Sequence, residues 1–106
     1  MVKFEEFKNL ELKTAKILEV KDHPSADKLY IVDVDLGDEK RQLVAGIKKH
    51  YTPDELIGKT IVVVANLEPA KLMGVESQGM VLAAGDGTGV HLLVPDAPTV
   101  PGSKVK

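Results

Sequence analysis

Three histidines are the chain's first candidates for acid–base or metal chemistry, and their positions argue against both. His23, His50 and His91 lie far apart, and none stands at the helical spacing of a zinc pair. They read as surface or loop histidines. The absence of Cys removes thiol nucleophiles, disulfides and thiolate metal sites. No Ser sits in a Gly-x-Ser-x-Gly elbow. Asp33 and Asp35 share one side of an alternating run, an arrangement that suits a divalent ion but is commoner among solvated hairpin charges. The glycines from Gly85 to Gly89 lack the Lys-Ser/Thr ending of a phosphate loop and lead into a strand rather than a helix. The expectation is no catalysis, no metal and no cofactor.

Binding chemistry is better represented. Lys13, Lys16 and Lys21 lie along one segment, Lys28 near the start of the next, and Lys40 and Arg41 open a third. Lys48, Lys49 and Lys71 follow. Gathered on one concave face, such cations can track a phosphate backbone; scattered, they merely solvate a surface. The charge total leans toward the second reading. Fourteen Lys and Arg against sixteen Asp and Glu give a formal net charge of −2, whereas nucleic-acid binders usually carry a basic excess. Phosphate contact depends, however, on potential within a Debye length, about 8 Å at physiological salt, so a segregated basic face suffices. The aromatics are Phe4, Phe7, Tyr30 and Tyr51, with no Trp. Binders of unstructured single strands stack bases on several rings, each worth roughly 1–3 kcal/mol. A site poor in rings but supplied with cations and amides suits a folded RNA recognised by backbone and shape.

The elements that must position these groups follow from periodicity. The 106 residues are one domain's worth, 1–106, with 43% apolar and 28% charged residues, ordinary for a soluble globular protein. No apolar run reaches membrane-spanning length, and the first ten residues lack an apolar signal core, so the expected location is cytoplasmic. Residues 4–10 place Phe4, Phe7 and Leu10 on one side of a helical turn. From 10 to 21 the chain reads as a long strand whose apolar parity slips between Ala15/Ile17 and Leu18/Val20, the mark of a bulge or bend. After the turn cluster at 23–27, residues 28–36 alternate cleanly, with Tyr30, Val32, Val34 and Leu36 on one side. Gly37-Asp38 turns into a third strand at 41–45. Thr52, Pro53 and Glu55 supply a capping hydroxyl, a first-turn proline and a capping-box acid, and Gly58 ends that short helix. Residues 61–65 are a strand buried on both faces, 66–78 a loop, 79–84 and 90–94 further strands, and the proline-bearing tail is extended. Met80 reads as core. This order predicts an all-β, OB-type five-stranded Greek-key barrel with a short helix between its third and fourth strands, plus an extra C-terminal strand.

The segment VVVANLEPAKLMGVESQGMVLAA at 62–84 resembles the signature of the tRNA-binding domain family. That family includes the C-terminal domain of methionyl-tRNA synthetases, stand-alone tRNA-binding proteins and the C-terminal domain of endothelial monocyte-activating polypeptide. ELKTAKILEV at 11–20, HPSADKLYIVDVDLG at 23–37 and RQLVAGIKKHYTPDELIGK at 41–59 agree in the same order. The ending HLLVPDAPTVPGSKVK is most like the synthetase-linked branch, whose modules pair through their C-terminal portions. The resemblance implies a non-catalytic, largely sequence-independent tRNA binder. It would raise the tRNA affinity of a methionyl-tRNA synthetase, with that enzyme's catalytic part, tRNA and a second copy of the chain as partners and no membrane.

The RNA-binding residues expected on these grounds are Lys13, Lys28, Arg41, Lys48, Asn66, Lys71, Ser77 and Gln78. Lys28, Arg41 and Lys71 would meet phosphates, while Asn66, Ser77 and Gln78 would hydrogen-bond phosphate, ribose or base. Asn66 and Ser77 suit a second role equally, bracing the loop backbone. Family loops often carry Arg where this chain has Ala70 and Met73, which implies a weaker phosphate term. Two other functions fit the same fold. One is an export chaperone that binds unfolded peptide through exposed apolar surface; the other is a module that docks synthetases onto other proteins.

Overall fold

The strongest sequence pattern makes the centre of the structure. In the computed structural model, which describes residues 1–106, the alternating run forms β2 (Tyr30–Asp35), whose Tyr30, Val32 and Val34 are buried while the residues between them are half-exposed. On its two sides lie β1 (Leu12–Asp22) and β3 (Lys40–Ala45), both antiparallel to it. β2 begins at Tyr30 rather than at Lys28, because residues 23–29 close a tight loop in which His23 N–H reaches the Leu29 carbonyl at 3.2 Å.

The parity slip in β1 is a bulge. Registry with β2 shifts between Ile17 and Glu19, so Ala15 and Ile17 face the core and Leu18 is left exposed. The extra residue bends β1 enough for it to pair with β2 along its second half and with β4 (Thr60–Val64) along its first. One strand therefore serves both halves of the barrel.

The sheet runs β3-β2-β1-β4-β7, where β7 is Met80–Val81. It closes where the segment entering β7 returns to β3: Gln78 N–H donates to the Gln42 carbonyl at 2.8 Å. Between β3 and β4 lies α2 (Pro53–Leu56), with the Thr52/Glu55 capping box formed and Leu56 buried beneath the barrel end. Thirteen buried residues, centred on Ile17, Val32, Val34, Leu43, Leu56, Ile61 and Val63, fill the interior.

Three regions differ from the periodicity reading. Residues 66–78 are not a plain loop: β5 (Ala70–Leu72) and β6 (Val75–Ser77) form a hairpin. Its strands escape sequence detection because they are three residues long and mostly exposed, leaving no apolar alternation to read. The strand at 79–84 divides into β7 and β8 (Ala83–Gly85), and β8 pairs with β9 (Val90–Leu92) in a separate ribbon. Met80 lies on the outside, 47% exposed, rather than in the core. At the other end α1 (Phe4–Lys8) packs no buried residue, and the tail returns as β10 (Lys104–Val105) beside Leu12 and Lys13 of β1. Gly37 takes a φ of +92°, and a Cβ there would meet the Pro101 carbonyl at 2.5 Å, so the tail passes directly over the β2–β3 turn.

Candidate nucleic-acid interface

The outer side of β1, β2 and β3 presents three cross-strand rows: Lys16–Asp35–Lys40, Glu19–Asp33–Gln42 and Lys21–Ile31–Val44. Over the first two rows lies an open cleft of about 490 Å³, lined by Leu18, Glu19, Asp33, Lys40, Arg41, Gln42 and Gln78. The hairpin β5–β6 stands along the β3 side of this face, and the 23–29 loop stands at one end. Its charge is mixed: exposed lysines at the edges, and the carboxylates of Asp35, Glu19 and Asp33 between them.

Arg41 and Gln78 do meet in the cleft, but both are engaged. Arg41 has the parity of the core residue Leu43 and lies at the rim of the barrel, half-buried. Its guanidinium donates to the Ala65 carbonyl, pairs with Glu39, and reaches the Gln78 carbonyl at 3.4 Å. Arg41 thus ties β3 to both ends of the 66–78 segment. The Gln78 side-chain oxygen accepts from Gln42 N–H at 3.0 Å, and its Nε2 has no protein partner.

Two other amide and hydroxyl residues are bracing groups. Ser77 is buried, its hydroxyl accepting from Val44 N–H at 2.9 Å and donating to the Gly79 carbonyl at 2.9 Å. Asn66 accepts from Glu11 N–H at 2.8 Å and donates to the Asn9 carbonyl at 2.7 Å, so it secures the chain leaving α1. Both oxygens are already committed to backbone.

The lysines divide by location. Lys28 is exposed on the 23–29 loop and Lys71 is exposed on β5, cross-strand from Glu76. Their segments touch, since His23 Nε2 lies 3.0 Å from the Leu72 carbonyl and the Ser25 hydroxyl 3.5 Å from that of Met73. Lys48 is held by Asp22 at 3.2 Å. Lys13 is half-buried between Val63 and Lys104, beside a separate cleft that it shares with Lys8, Leu10, Glu11, Leu12 and Lys104. The bulge also separates it from Lys21, which falls on the outer face. Lys13 and Asn66 therefore stand away from the main cleft, while Lys40, named among the cations but not among the expected RNA-binding residues, and Gln42, not named at all, line it. Their outward parity on β3 was the available signal.

His23 also departs from expectation. Although it belongs to a loop, only 5% of its surface is exposed. Two groups elsewhere have carboxyls held below the usual range: Glu55 through its bonds to Thr52 and Asp86 through its bonds to Thr88. Neither lines the cleft.

A nearly closed five-stranded antiparallel barrel with a helix between its third and fourth strands, bearing a polar cleft on its outer face, is an OB-type barrel. The profile of the family described as "Putative tRNA binding domain" matches residues 12–104, and the chain belongs to that family. The methionine–tRNA ligase of Pyrococcus horikoshii is 64% identical over 105 residues, covering 99% of this chain and 14% of the ligase. That of Thermotoga maritima is 54% identical over 104 residues, covering 98% of this chain and 16% of the ligase. The chain thus spans a small fraction of these relatives. Among solved structures, the MetRS-related protein from P. horikoshii superposes with a TM-score of 0.93 at 34% identity, covering 100% of this chain and 98% of that one. The CsaA chaperone protein from Picrophilus torridus superposes at 0.92 with 33% identity, each chain covered completely.

Proposed function

We propose that this domain holds tRNA without acting on it chemically and strengthens the grip of a methionyl-tRNA synthetase on its tRNA. The reading rests above all on identity of 54–64% to methionine–tRNA ligases along nearly the whole chain. The cleft fits the role. Lys28, Lys40 and Lys71 are exposed and without ion-pair partners, and are suited to phosphates at the margins of a folded RNA. Gln78, whose Nε2 has no protein partner, is suited to ribose or an exposed base edge between those margins, while the Gln42 Nε2 is bound to the Glu76 carbonyl. Such contacts fix an RNA by shape and charge, with little sequence preference.

Two parts of the reading concern assembly. The chain acts in the cytoplasm, and it pairs with a second copy through its C-terminal region. There Phe4, Phe7, Leu10 and Val105 line an apolar cleft rimmed by Lys8, Lys104 and Lys106. Pairing would let a second copy engage the same tRNA at high effective concentration and so raise its retention. Light scattering that returns a monomer mass removes this part.

A second reading has an observation of its own. Leu67, Leu72, Met73 and Met80 are exposed on and around the hairpin, and CsaA chaperones share the fold. Filter binding over a salt series separates the two. The tRNA reading expects affinity to fall steeply with salt, and Lys71→Ala to lower the log–log slope by about 1 for every tRNA alike. Peptide retention indifferent to salt, with no tRNA held, would replace it with the chaperone reading.

A further inference from the structure

We infer that His23 is a positioning residue for RNA binding, a clasp that holds the 23–29 loop and the β5–β6 hairpin as one rigid wall and so fixes Lys28 relative to Lys71. The inference rests on the tRNA reading above and adds a residue to it.

The hairpin needs such a clasp. Its two strands form a separate two-stranded sheet, and a hairpin of that kind has little stability alone. Its base is well anchored: Gln42 Nε2 donates to the Glu76 carbonyl at 2.8 Å and Val44 N–H to the Ser77 hydroxyl at 2.9 Å. Its tip is not. There the chain turns through Met73 at φ +52° and Gly74 at φ +87°, and Leu72 and Met73 are exposed. The side chains that reach the tip from the barrel are His23, on the Leu72 carbonyl at 3.0 Å, and Ser25, on the Met73 carbonyl at 3.5 Å.

The geometry fixes the tautomer. Ser25 N–H lies 3.0 Å from Nδ1 and can only donate, so Nδ1 carries no proton. The Leu72 carbonyl can only accept, so Nε2 carries one. Pro24 between them has no N–H, which makes Ser25 the first backbone donor able to close this turn. A neutral imidazole with an acceptor on one edge and a donor on the other joins two segments 49 residues apart. No other side chain offers that pair on one rigid ring. Asn can still accept from Ser25 but is too short for Leu72. Gln can reach Leu72 with its amide N–H but gives up the local turn.

These differences supply the test, made on the whole chain with unfractionated tRNA as the probe. His23→Asn is expected to weaken tRNA retention about fivefold, the factor given by one hydrogen bond of ordinary net strength. The log–log salt slope should be unchanged, because the phosphate contacts still form once the tip is ordered. Hydrogen exchange should quicken at the amides of 72–75 while those of β1 and β2 keep their protection. His23→Gln should stay within about twofold of wild type. Imidazole nitrogen NMR should show the Nε2–H tautomer in the free protein. Wild-type retention by His23→Asn, unaltered exchange at the tip, or equal losses with Asn and Gln would each overturn the clasp. A lowered salt slope in His23→Asn would make His23 a direct phosphate contact instead, which also overturns it. If the wild-type chain retains no tRNA, the tRNA reading fails, and tip exchange unmoved by His23→Asn would be a separate failure.

Discussion

Ser77 offers the sharpest separation between a residue that touches RNA and one that builds the surface RNA would touch. Its hydroxyl is buried, accepting from Val44 N–H and donating to the Gly79 carbonyl. In Ser77→Ala the Val44 amide, inside the barrel wall, loses its acceptor where no water replaces it. A stranded buried donor costs about 1–3 kcal/mol. The Gly79 carbonyl lies nearer the rim, where solvent can replace the lost donor, and adds little. A loss of about 2 kcal/mol is a sizeable share of a stability that for domains of this size is about 5–15 kcal/mol. For 106 residues the unfolding entropy is about 0.2 kcal/mol/K, so the melting temperature should fall by about 9 °C. Calorimetry and urea titration measure this loss directly. tRNA retention, measured well below the melt, should stay within about twofold of wild type. An Ala variant as stable as wild type yet poor at holding tRNA would mean that the hydroxyl reaches RNA, and would refute the bracing role.

Three further outcomes follow from other parts of the structure. Glu19→Gln together with Asp33→Asn should strengthen tRNA retention, because a carboxylate about 8 Å from a phosphate repels it by ~0.5 kcal/mol before screening. The gain, about twofold per carboxylate, should vanish at high salt in the same filter assay. Gly79→Ala should lower the urea midpoint, since its Cβ would lie 2.9 Å from the Val64 carbonyl at a φ of +148°; overpacking alone costs about 1–3 kcal/mol. The Glu55 carboxyl is held below its usual range by its bonds to Thr52, so its help to α2 is present at neutral pH and lost as pH falls through the lowered folded value. The melting difference between wild type and Glu55→Gln should therefore narrow on acidification below the usual carboxylate range; a constant or widening difference contradicts that sign.

The barrel was readable because its signals are local and periodic. The alternation through Tyr30 to Leu36 gave β2, Thr52-Pro53-Asp54-Glu55 gave a capped helix, and the parity slip near Leu18 gave the bulge that lets β1 serve both halves. What escaped was whatever depends on distant partners. Nothing near Ser77 says that its hydroxyl meets Val44, 33 residues away, and nothing near Asn66 points to Asn9 and Glu11. The motif that carries the family resemblance is therefore a mixture: Lys71 stands outward, while Asn66 and Ser77 face backbone. Met80 was misplaced for a related reason. β7 lies at the end of the sheet path, and the Met80 side chain on its outer side is left 47% exposed.

This division bears on how a domain of net charge −2 would hold a polyanion, as the proposed function requires. Arg41, the one arginine, has its guanidinium bound to Ala65, Glu39 and Gln78, and Lys48 is held by Asp22. The cations left for phosphate are exposed lysines on the margins: Lys16 and Lys21 on β1, Lys40 at a strand end, Lys28 on a loop and Lys71 on the hairpin. Long, flexible and strongly hydrated, they give contacts that weaken readily with salt and carry little geometry of their own. Their spacing must then come from the scaffold beneath them. That is the work of Arg41 and Ser77 at the base of the hairpin and, on the inference above, of His23 at its tip. The acids in the middle of the face fit the same logic. Glu19 and Asp33 disfavour phosphate over the centre of the cleft, so the backbone of a bound RNA is directed toward the margins and only groups that donate hydrogen bonds are favoured between them.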